Sequence, residues 1–163
     1  MSGDLALSPT PAVAILAFDF GTSRIGVAVG NTLVRVAHPL TTIDAKRSET
    51  RFRAIADLID EWRPGILVVG LPRHADGAPH VMTGRARRFA RQLQGRFRLP
   101  VEFSDERWTT ELAQAQLDVR GLRAAMGRGM RDQVAAQLIL QSWLDEAPAI
   151  VNADMTLHGY KLC

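Results

Sequence analysis

At 163 residues, 47% of them hydrophobic and 23% charged, the chain is long enough for one full core and has the balance of an ordinary water-soluble domain. No apolar run approaches the ~20 residues of a membrane-spanning helix, and the single cysteine, Cys163, excludes an intrachain disulfide framework, as expected of a reducing cytoplasm. The net charge is only +3, but of 20 cationic residues just Lys46 and Lys161 are lysines; the arginine fork suits phosphate oxygens, although a GC-rich genome enriches the same residue.

Residues 1–12, small, polar and carrying Pro9 and Pro11, predict a mobile leader without the basic start of a secretory signal. Ile15 to Phe18 and Ile25 to Val29 are short apolar runs joined by a Gly21-Thr22-Ser23 turn, the pattern of two buried strands in a hairpin. Leu33 to Ala37 predicts a third antiparallel strand after a turn at Gly30-Asn31. Ser48 or a neighbour is expected to cap a helix in which Phe52, Ile55, Ala56, Ile59 and Trp62 share a face, with Pro64-Gly65 ending it. Ile66 to Val69, apolar on both faces, reads as a central parallel strand. A helix is expected over about 81–97, a strand over 99–103, a further helix over about 109–117 and a basic, glycine-bearing loop over 119–131. The last helix is expected over 132–144, and 147–163 form a tail beyond a single domain of residues 13–146. This order predicts an α/β fold with a mixed five-stranded sheet, three antiparallel strands and then parallel ones, flanked by helices.

Asp19 ends a run that should be core, and a carboxylate there needs a cation or hydrogen bonds. Parallel crossovers align the C-terminal ends of the first, fourth and fifth strands along one edge, where open α/β sheets bind ligands. Asp105 and Glu106 leave the fifth strand at that edge, and Asp132 starts the last helix on its sheet-facing side. Carboxylates brought together repel unless a cation intervenes, and oxygen-only ligands select Mg²⁺ or Mn²⁺. Two such ions about 4 Å apart serve phosphodiester hydrolysis. Each acid also has a plainer role available: Asp19 as a turn anchor, Asp132 as a helix cap, Asp105 as an ion-pair partner of Arg107. Arg24 either approaches the scissile phosphate or pairs with an acid at the rim. The arginines of the 119–131 loop can wrap a nucleic-acid backbone. The histidines are scattered, with no zinc-ligand spacing.

Asp19-Phe20-Gly21 with Arg24 to Ala28, Val68 to Pro72 with Asp76-Gly77, Asp105 to Thr110, and Asp132 to Ala136 with Ile139-Leu140-Gln141 together resemble the YqgF/RuvX family over about Ile15 to Leu144. The resemblance implies an RNase H-like fold and a nuclease that processes the 5′ end of pre-16S rRNA or, alternatively, resolves Holliday junctions; a non-catalytic nucleic-acid-binding module is a third reading. It implies Asp19, Glu106 and Asp132 as catalytic metal ligands, with Asp105 as an alternative ligand beside Glu106, and Mg²⁺ or Mn²⁺ as cofactor. Nucleic acid, as RNA or branched DNA, is then the expected partner of Arg24, Arg107, Arg120, Arg123, Arg128 and Arg131. The protein is expected in the cytoplasm, as a monomer or homodimer, away from membranes. Gly70-Leu71-Pro72 stands where relatives such as RuvC carry an acid after the fourth strand, so the second ligand must come from the fifth. An actin-like kinase, which Asp19 to Ser23 also resembles, would need a second domain and has no lysine-bearing phosphate loop here.

Overall fold

The computed structural model describes residues 12–71, 81–105 and 127–146, with the side chains of Asp105 and Arg128 left outside that description. The leader (Ala12 apart), the 109–117 helix, most of the 119–131 loop and the tail lie outside the described residues.

Five strands form one sheet: β1 (Ala14–Phe20), β2 (Arg24–Asn31), β3 (His38–Asp44), β4 (Ile66–Leu71) and β5 (Val101–Asp105). Their spatial order is β3-β2-β1-β4-β5, with β1–β2 and β2–β3 antiparallel and β1–β4 and β4–β5 parallel. Helices α1 (Ser48–Trp62) and α2 (Val81–Phe97) connect β3 to β4 and β4 to β5, and α3 (Arg128–Glu146) follows.

Strand alternation divides the core in two. Leu16 and Phe18 of β1, Ile25 and Val27 of β2, and Leu67 and Val69 of β4 meet Phe52 and Ile55 of α1 and Phe89 and Leu93 of α2. On the other face Ile15, Ala17, Ala28, Ile66 and Val68 meet Ala136, Ile139, Leu140 and Leu144 of α3. The sheet is thus the middle of three layers, and any residue's parity along its strand tells which helix layer it faces.

Three expectations need correction. Residues 33–37 are not a strand: Asn31 Oδ1 accepts the backbone N–H groups of Leu33 and Val34, closing a turn, and Arg35 takes φ 60°. The side-chain acceptor outcompetes a ladder for those donors, and β3 starts only at His38. Helix α1 has no side-chain cap, its N-cap being Arg47, and it ends at Arg63, whose left-handed backbone donates to Ile59 O. Helix α3 begins at Arg128 rather than Asp132, so Arg128 and Arg131 belong to a helix's first turn and Asp132 is not a cap.

The turn after β2 is held to α3 by glutamines. Gln141 accepts from Ala37 N at 3.0 Å and donates to Arg35 O at 3.1 Å, while Gln137 donates to Ala37 O at 3.0 Å. Arg35 Nη2 also donates to Leu144 O.

Candidate active site at the sheet edge

Asp19 follows Ile15 and Ala17 along β1, so its side chain falls on the α3 side of the sheet. Its cross-strand partner is Gly26. A methyl group at Gly26 would lie 1.9 Å from the main-chain oxygen of Asp132, so the backbone of α3 rests directly on β2 at this point. Only a residue without Cβ permits that approach. Paired residues of an antiparallel ladder project to the same face, which puts Asp19 beside the glycine on which Asp132 sits. Residues 113 positions apart in sequence are thereby neighbours at one edge.

The first turn of α3 is fastened there by polar contacts. Thr42 Oγ1 of β3 donates to Gly129 O at 2.5 Å, and Gln133 Nε2 donates to Thr42 Oγ1 at 3.3 Å. Farther along, buried Ser104 of β5 donates through Oγ to Ile139 O at 3.2 Å. Sequence patterning did not point to Thr42 or Ser104, because a hydroxyl on a strand shows no periodic signal. Gly26 was visible as part of a motif, but its reason, the approach of α3, was not.

Of the expected ligands, Asp132 has its main chain on Gly26, the ladder partner of Asp19, and Glu106 lies outside the described residues. Asp105 ends β5 in register with Leu71 of β4. Among the described residues no three of His, Cys, Asp and Glu gather into a metal-binding group. Arg24, also on the α3 side by parity, donates through Nε to Asp132 Oδ2 at 2.6 Å. That is the pairing alternative for this arginine. The pair is partly exposed, 40% and 24% at the two side chains. Of the expected nucleic-acid contacts, Arg131 is exposed in the first turn of α3, Arg128 opens that helix, and Arg107, Arg120 and Arg123 lie outside the described residues. Among the described residues at this edge the side chains of Asp19 and Asp132 offer carboxylate oxygens, the donor type that hard cations take.

A mixed β3-β2-β1-β4-β5 sheet between two helix layers, with an aspartate at the end of its central strand, defines the RNase H-like class. Within it the chain belongs to the RuvX family, described as a Holliday junction resolvase, which it matches over residues 13–146. It is similar to a protein of Nitrosomonas europaea named "Putative pre-16S rRNA nuclease", 54% identical over 131 residues, 80% of this chain and 88% of that one. A protein of the same name from Dechloromonas aromatica is 52% identical over 137 residues, 84% and 94% of the two chains. Among solved structures, Thermus thermophilus RuvC superposes with a TM-score of 0.50 at 14% identity, covering 80% of this chain and 93% of that one, a likeness of fold.

Proposed function

We propose that this chain is a divalent-metal-dependent nuclease that works in the cytoplasm on the 5′ end of pre-16S rRNA, with Asp19, Glu106 and Asp132 as its metal ligands. The observation that supports it most is the seat of Asp132 on Gly26, opposite Asp19. The close approach that this glycine permits carries the start of α3, with Asp132, onto the strand pair in which Asp19 lies. Mg²⁺ or Mn²⁺ bound there supplies water activation and stabilisation of the leaving oxygen. The chain's own contribution is to hold the carboxylates on rigid elements, a strand end and a helix pinned by Thr42 and Gln133. Arg24 is the internal counter-charge of Asp132 and exchanges it for an incoming metal ion and phosphate. Arg107, Arg120, Arg123, Arg128 and Arg131 hold the nucleic-acid backbone. The substrate assignment draws on the names of the close relatives.

The test is cleavage of labelled ribosomal precursor with Mn²⁺, with Mg²⁺ and with chelator. Chelation is expected to stop cleavage, and Asp19→Asn to slow it by about a hundredfold or more while the protein melts as the parent does. An Asn variant that cleaves like the parent places the chemistry elsewhere. The family's description favours one second reading, resolution of four-way DNA junctions. That reaction needs two sites related by a two-fold axis, so a synthetic junction cut symmetrically by a dimer would select it over RNA processing.

A further inference from the structure

Asp19 and the residue after it face opposite sides of the sheet. Phe20 turns to the α1–α2 layer, where it stacks on Phe89 with ring centroids 4.8 Å apart. There it forms the floor of a groove of about 320 Å³ lined also by Ser48, Arg51, Arg85, Arg88 and Gln92. Among the described residues three arginines and no carboxylate line this groove. Arg51 packs its guanidinium against Phe20 and Phe52, 5.9 and 5.4 Å from the ring centroids, and its Nε is shielded from solvent with no hydrogen-bond partner among the described residues. Burial first, then the charges of Arg88 and Arg96, hold Arg51 below its ordinary pKa. Like charges gathered at one place repel, and an incoming phosphate relieves that repulsion.

We propose that the Arg51–Arg85–Arg88 groove binds a backbone phosphate of the substrate strand where it continues past the cleavage edge. The inference rests on the nuclease reading for the identity of the strand. Consecutive residues Asp19 and Phe20 tie the two places together on opposite sides of one strand end. The groove therefore takes a phosphate of the same strand on the other side of the sheet from the bond cut. The tertiary structure sets Arg85 and Arg88 of α2 beside Arg51 of α1.

The experiment measures anisotropy of a labelled twelve-nucleotide single-stranded RNA on the full chain, without divalent metal, from 50 to 200 mM NaCl. Arg85 and Arg88 are exposed, so their removal leaves the core intact. Arg85→Ala/Arg88→Ala is expected to weaken binding about tenfold at 100 mM and to flatten the log–log salt slope by about 1.4, two contacts at ~0.7 each. Arg85→Lys/Arg88→Lys is expected to keep most of the slope. Arg63→Gly/Arg98→Gly removes the same charge from the far ends of α1 and α2. Both positions have positive φ (49° and 56°), which glycine accepts, and the parent slope is expected to persist. Equal loss in the alanine and glycine pairs overturns the groove, since net charge alone would then explain binding. Inorganic pyrophosphate that binds in an Arg85- and Arg88-dependent way, while RNA affinity does not depend on them, also overturns it and leaves a small-anion site. Adding Mn²⁺ separates the two ideas. RNA bound through the groove but never cut sinks the nuclease reading and keeps the groove; cutting by the alanine pair with parental affinity does the reverse.

Discussion

Arg24 and Asp132 hold each other at 2.6 Å while both stay partly exposed, so the pair adds little to stability, less than ~1 kcal/mol. If Asp132 is a metal ligand as proposed, the larger consequence is for binding, because the guanidinium competes for the carboxylate. Arg24→Gln is expected to leave the melting temperature within a degree or two of the parent while tightening Mn²⁺ binding in titration calorimetry. Mn²⁺ affinity unchanged or weaker would mean that Asp132 does not reach the ion. Glu102 has a different kind of partner, the protein interior: burial raises its pKa. A group with a raised folded pKa contributes stability that is whole below the unfolded pKa and lost as pH rises through the folded value. Glu102→Gln is therefore expected to melt above the parent at pH 7, with the difference closing near pH 3. A gap that is constant with pH would assign the effect to packing instead.

Between elements, the contact of α3 with β2 controls the site. At Gly26 a methyl group would overlap backbone, which has no rotamer to escape into. Gly26→Ala is expected to cost at least about 1–3 kcal/mol, read as a lower denaturation midpoint, and to abolish cleavage by lifting Asp132 from Asp19. Retained activity at parental stability would show that α3 can shift without consequence. The glutamine contacts at the other end of the helix predict a purely structural effect. Gln141→Ala leaves Ala37 N and Arg35 O without their partner, for a loss of about 1–3 kcal/mol. Hydrogen exchange is expected to quicken at Ala37 with kcat unchanged.

For the molecule as a whole, the sheet presents two faces of different character at one edge: carboxylates toward α3, guanidiniums toward α1 and α2. The sheet itself keeps these acidic and basic groups apart, so neither neutralises the other, apart from the Arg24–Asp132 pair. Among the described residues no helix is long and apolar enough to cross a membrane.

Local chemistry determined much of this. The apolar runs of β1, β2 and β4 and the 3.6-residue period of α1 and α2 each carry their own signal, because burial on a given face depends on nearest neighbours along the chain. The motifs likewise single out Asp19 and Asp132. Where a competing local bond existed the reading slipped: the side chain of Asn31 took the donors of Leu33 and Val34, and β3 began five residues later than expected. Only the folded chain decided that Gly26 seats Asp132, that Arg24 closes on that acid, and that Arg51 of one helix meets Arg85 and Arg88 of another. These are contacts between segments tens of residues apart, and the crossing of layers that makes them leaves no periodic trace in either segment alone.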